Sequence, residues 1–130
     1  MRIPSGRIRR VVRRIGREFR LFPDLTLVFL GDREIRRVNK KYLRHDRPTD
    51  VIAFPYHPSL VFPRFSGDIL ISLDAARRQA RALGHPVWRE VKILMIHGIL
   101  HLLGFRDHRR SDRLKMWKRT GEILAKVERL

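Results

Sequence analysis

The sequence predicts an α+β fold: a single domain, residues 1–130, with a small mixed β-sheet of about four strands packed by about five helices and a metal site on a central buried helix. Three observations predict it. Short runs rich in β-branched and apolar residues stand beside longer segments whose apolar residues recur at helical spacing. Their order, αβαββ(β)ααα, suits helices layered on a small sheet. One segment, Ile96 to His108, is apolar nearly throughout its first half and yet carries three histidines.

The elements follow in order. Residues 6–21 form an amphipathic helix, with Ile8, Val11, Val12, Ile15 and Phe19 on one stripe and a mostly arginine face opposite. Pro23 ends that segment. Leu25 to Leu30 is a strand, and Asp32 can cap a second helix over roughly residues 33–42, with Ile35, Val38 and Tyr42 inward. A polar loop, Leu43 to Asp50, leads to a second strand, Val51 to Tyr56. His57 to Phe65 reads as a loop or irregular edge in which Leu60, Val61 and Phe62 supply a short extra strand. Gly67 to Ser72 is a third clear strand. Ser72 or Asp74 caps the next helix, which runs to Leu83 and stops at Gly84. Pro86 opens the histidine-bearing helix, which runs to about Leu103. Ser111 caps a last helix that buries Leu114, Trp117, Ile123, Leu124 and Val127. There are no repeats, linkers or low-complexity tracts.

Chemistry concentrates at I-H-G-I-L-H-L-L-G-F-R-D-H. His97 and His101 stand at i and i+4, so a helix presents both imidazoles on one face, a turn apart. Two neutral imidazoles so placed can share a metal ion, and zinc is the default occupant. Gly104 stands where a left-handed cap would end the helix, and the returning chain can bring Asp107 or His108 to the same ion. In the peptidase pattern H-E-x-x-H the glutamate is the general base; here that position is Gly98, which cannot move a proton. A buried pair of core histidines is the plainer alternative.

Composition narrows the partners. Thirty Lys and Arg against thirteen Asp and Glu give a formal charge of +17, which points to a polyanion, nucleic acid first. The arginine face of the first helix, Arg9, Arg10, Arg13 and Arg14, is a candidate phosphate-contacting surface. An Arg-rich solvated surface is the blander reading, and an anionic membrane surface a weaker one. No apolar run can span a bilayer, so no membrane is expected. No signal-peptide core follows the basic N-terminus, and the absence of cysteine excludes disulfides and thiolate zinc sites. Both fit a cytoplasmic protein.

Several blocks together resemble the YbeY-type endoribonucleases. They are Asn39-x-x-Tyr42, the run His45-Asp46-x-Pro48-Thr49-Asp50-Val51-Ile52-x-Phe54, Gly67-Asp68-Ile69, Gln79-Ala80, Glu90, and His97 through Gly104. The resemblance covers the chain from about Glu34 onward. It implies one zinc ion per chain held by three side chains, and single-strand-directed RNA cleavage. It also implies work on the 3′ end of small-subunit ribosomal RNA and in ribosome quality control.

Two departures from the family pattern stand out. The third family histidine falls six residues after the second, where this chain has Asp107, with His108 one later. Imidazole is the commoner zinc donor and favours His108; unchanged chain geometry favours Asp107. His97, His101 and His108 are thus the expected ligands, with Asp107 as the alternative third. The family arginine after the tyrosine is Leu43 here, so Arg44 or Arg47 is the candidate to neutralise phosphate charge. Asp50, Asp68 and Glu90 are candidate carboxylates, the last two more readily structural. Two other functions remain open: a non-catalytic basic RNA-binding protein with a structural zinc, and another metal-dependent hydrolase. The oligomeric state is not legible.

Overall fold

The computed structural model describes residues 3–57 and 62–130. The elements are α1 (Ser5–Glu18), β1 (Phe22–Leu30), α2 (Asp32–Leu43), β2 (Val51–Pro55), β3 (Arg64–Ser72), α3 (Leu73–Leu83), α4 (Val87–Leu102) and α5 (Arg110–Val127). The fold is α+β, as predicted. The sheet has three strands among the described residues, not about four, in the order β1-β3-β2. Strand β1 runs parallel to β3, from Phe22 opposite Arg64 to Leu30 opposite Ser72. Strand β2 runs antiparallel to β3, from Val51 opposite Ile71 to Pro55 opposite Gly67. The extra strand expected at Leu60, Val61 and Phe62 falls partly on residues outside the described ones, and Phe62 itself lies in a turn.

Helix α4 is the axis of the packing. Twelve of its sixteen residues are buried, spread over most of its circumference, so it depends on being enclosed. It packs against β2, β3, α1, α3 and α5. Val91, Leu94, Met95, Ile96, Ile99 and Leu100 are all buried. Each such side chain contributes roughly 1.5–3 kcal/mol by leaving water. A smaller core of Ile35, Ile52 and Leu70 lies under α2 on the other face of the sheet. The one ammonium buried within α4, Lys92, donates to the carbonyls of Val127 and Glu128 at 3.0 and 2.9 Å. It thereby sits at the negative end of α5, where a cation is favoured.

Local signals account for most boundaries. Ser72 Oγ accepts from the Ala75 amide at 3.0 Å and caps α3, which ends at Gly84. Four expectations are corrected. Pro23 does not end a helix but lies in β1, tolerable because that strand is at the sheet edge. Ser111 lies inside the first turn of α5; the cap is Arg109, whose amide donates to the Asp112 carboxylate at 3.4 Å. Leu114 and Trp117 are 59% and 61% exposed, and Met116 and Thr120 take the buried positions. Tyr42 is 60% exposed and meets Phe54 edge-on, while Asn39 is buried in α2.

Candidate metal centre

The cleft that holds the histidines is assembled from three parts of the fold. The loop into β2 and its first residue supply Thr49, Asp50 and Val51, the end of α4 supplies His97 and His101, the turn after α4 supplies Asp107, and the first half of α5 supplies Arg113, Met116 and Trp117. Its volume is about 220 Å³. The turn follows from Gly104, which adopts φ 97°. The Phe105 amide donates to the Leu100 carbonyl at 2.9 Å and the Gly104 amide to the His101 carbonyl at 3.0 Å. This pair of bonds ends the helix and turns the chain back toward it.

That reversal decides which residue reaches the histidines. Asp107 Oδ2 lies 3.8 Å from His101 Nε2. His108 is exposed and is not among the residues lining the cleft. The returning loop is held by Arg113, whose guanidinium donates to the carbonyls of Asp107 and His108 at 3.4 and 3.3 Å.

Each imidazole is prepared in a different way. His101 Nδ1 lies 3.2 Å from the Phe105 carbonyl. A carbonyl only accepts, so Nδ1 carries the proton and Nε2 offers its lone pair toward Asp107. His97 has its pKa lowered, chiefly by burial, with the His101 imidazole acting in the same direction. The carboxylates of Asp50 and Asp107 oppose that shift without cancelling it. His97 is therefore neutral at pH 7, the form that binds a metal. Its ring meets Trp117 edge-on, centroids 5.4 Å apart.

The donors suit zinc: two imidazoles and a carboxylate. A tetrahedral ion with bonds of about 2.0–2.2 Å holds its donors roughly 3.5 Å apart, close to the His101–Asp107 separation. Among the described residues, no three His, Cys, Asp or Glu side chains are already drawn together as a complete cage. Asp107 is 55% exposed and has room to adjust.

Gly98 has a second reason to be glycine. A Cβ there would come 2.6 Å from Ile69 Cγ2, where α4 crosses β3. The peptidase glutamate is thus excluded by packing as well as absent by chemistry.

Other sequence candidates lie elsewhere. Arg44 caps α2 in the left-handed conformation at φ 58°, and Arg47 contacts His45 Nδ1 at 3.3 Å; neither lines the cleft. Asn39 and Gln79 act as braces for the preceding loop. Asn39 Nδ2 donates to the Arg47 carbonyl at 2.9 Å, and Gln79 Nε2 donates to Asp50 Oδ2 at 3.1 Å. Asp68 accepts from the Tyr56 hydroxyl at 2.6 Å, and Glu90 pairs with His85 Nε2 at 2.7 Å, so both have structural partners away from the cleft. Arg9, Arg10 and Arg13 are exposed on α1, whereas Arg14 pairs with Glu18 at 2.7 Å. None of the four lines the histidine cleft. Sequence reasoning missed Arg113 and Trp117. The signal was their i, i+4 spacing early in α5, which presents both to the turn.

A buried helix offering two imidazoles to a reachable cleft, on a small sheet layered with helices, defines the class as a compact α+β protein with a candidate metal centre. The comparisons name the family. Residues 5–128 match the family model "Endoribonuclease YbeY". A protein of that name from Aquifex aeolicus is 41% identical over 82% of this chain and 71% of its own length. One from Geobacter metallireducens is 40% identical over 98% of this chain and 89% of its own. The solution structure of a Thermotoga maritima protein superposes with a TM-score of 0.69 at 21% identity, covering 98% of this chain and 85% of that one. That likeness supports the fold. The chain belongs to the endoribonuclease YbeY family.

Proposed function

We propose that the cleft is the centre of a zinc-dependent endoribonuclease, with one zinc per chain held by His97, His101 and Asp107. The observation that carries this reading is the convergence of Asp107 with the free Nε2 of His101, beside a neutral His97. Asp107 takes the third position in place of His108 because the Gly104 turn delivers it there. When bound, zinc supplies a Lewis acid and a water acidified toward neutrality.

The chain's own groups then have distinct tasks. The Phe105 carbonyl holds the His101 ring in one tautomer. Asp50, fixed by Gln79, is the cleft carboxylate left to accept a proton from the attacking water. Arg113 faces the cleft and can neutralise charge that builds on the phosphate. Trp117 presents an exposed ring to a base of an unpaired strand. The +17 charge favours RNA backbone without reading sequence. Exposure of Asp107 and Trp117 supports a reachable site over a closed, purely structural one.

The substrate we infer is single-stranded ribosomal RNA at the 3′ end of the small-subunit RNA, with a part in ribosome quality control. The match over residues 5–128 supports one domain. No helix among the described residues is long and apolar enough to cross a membrane, and a cytoplasmic location fits ribosomal work. The test is cleavage of a fluorescent single-stranded RNA and its duplex by purified protein, before and after chelation and zinc return. Single-strand cleavage that is lost and regained supports the reading. Cleavage indifferent to chelation overturns the zinc.

A further inference from the structure

A separate surface lies at the far edge of the sheet. Strand β1 is terminal in the order β1-β3-β2, and it is nine residues long. The Phe22 amide donates to the Pro63 carbonyl at 2.7 Å, on the β3 side. Strand alternation then turns the backbone groups of Leu25, Leu27 and Phe29 outward. Pro23, the next outward residue back, has no N–H and blunts that end. Among the described residues, no strand pairs with this edge.

The same three side chains line a groove of about 420 Å³ between β1 and α1. Its opposite wall is Ile8 and Val12, and its rim is Arg9 and Arg13. No carboxylate lines it. Apolar floor, basic rim and open backbone edge therefore coincide. Phosphate binding would use the arginines but not the apolar floor or the outward amides. A second copy of this chain would bring another charge of +17 against the rim.

We propose that the free edge of β1 receives an extended acidic polypeptide from a partner protein, which adds a strand to the sheet. The partner's alternate apolar side chains fill the groove over Leu25, Leu27 and Phe29, and its carboxylates meet Arg9 and Arg13. Main-chain pairing supplies affinity, and the groove and the arginines supply selectivity. The surface is independent of the histidine cleft and of its metal.

The probe is a labelled nine-residue peptide of alternating Val and Glu, added to the whole protein and followed by anisotropy and amide hydrogen exchange. Expected is binding with Kd on the order of 10–100 μM and slowed exchange at the Leu25, Leu27 and Phe29 amides. Arg9→Glu with Arg13→Glu, both exposed on α1, should weaken it at least ~10-fold. A Val-Lys peptide should not bind the unaltered protein. The same Val-Glu peptide N-methylated on the face that pairs should lose binding, a readout that needs no protein variant. Equal binding of the N-methylated or the Val-Lys peptide overturns the proposal. So does displacement by an eight-nucleotide oligouridine with no protection of those amides, which would assign the arginines to RNA. Protection that grows with protein concentration alone would make the occupant a second copy.

Discussion

Replacing Gly98 with Ala isolates the contact that sets the depth of the histidine helix. The added Cβ would stand 2.6 Å from Ile69 Cγ2, 3.2 Å from its Cδ1 and 3.3 Å from its Cγ1. The first of these is a branch carbon beside the strand backbone, so it cannot swing away as a flexible chain end would. Overpacking of this kind costs about 2 kcal/mol. Alanine recovers about 1 kcal/mol of helix propensity. The net loss is about 1 kcal/mol, or a fall in Tm of about 4 °C. Urea and thermal denaturation of single and double variants are the assay. Ile69→Val keeps both γ carbons and should not rescue Gly98→Ala. Ile69→Ala removes all three contacts and costs about 2–5 kcal/mol alone, but the double variant should be less damaged than the sum by about 1 kcal/mol. A Gly98→Ala protein that gains stability, or an additive pair with Ile69→Ala, would refute the close approach.

Other expectations concern the cleft and its surroundings. Arg113→Ala should lower RNA cleavage at least ~10-fold while zinc content stays near one per chain, measured by initial rates and elemental analysis. Trp117→Ala should raise KM for single-stranded RNA several-fold, in keeping with about 1–3 kcal/mol for a stacked base, with little change in kcat. Asp32 has its pKa lowered, chiefly by its hydrogen bond to Arg78, so its contribution to stability is present above the ordinary value of 3.8 and is lost as pH falls through the lower folded value. The unfolded chain binds the proton more readily there, so stability rises with pH across that window. Denaturant titrations should then show Arg78→Ala destabilising at pH 7 and less so as pH falls below 3.8.

Much of this was legible in the chain, for reasons that differ from element to element. Helix α4 announced itself through the apolar residues around Ile93 to Leu103, the i, i+4 histidines and the Gly104 stop, and all of these are local signals. Ser72 was readable as a cap because a serine ending a strand before an alanine-rich run satisfies an otherwise orphaned amide. The last helix was misread at Leu114 and Trp117, because periodicity gives a stripe but not what covers it. Both are exposed, Trp117 at the cleft, while Met116 and Thr120 are buried. Donor chemistry favoured His108 and unchanged chain geometry favoured Asp107; the turn closed by Phe105 and Gly104 brings the Asp107 carboxylate to 3.8 Å from His101 Nε2, a tertiary approach that no local signal carries. Arg113 could not be ranked above some thirty other basic residues, since its value comes from a tertiary position at the mouth of the cleft.

Metal content by elemental mass spectrometry, on protein purified without a histidine tag, is the decisive measurement of whether His97, His101 and Asp107 hold a zinc ion. The proteins needed are the unaltered chain, His97→Ala, Asp107→Ala and His108→Ala. One zinc per chain is expected in the unaltered protein and in His108→Ala, and near none in the other two. Zinc lost in His108→Ala but kept in Asp107→Ala would contradict the ligand set, and a metal-free, fully active unaltered protein would contradict the centre itself.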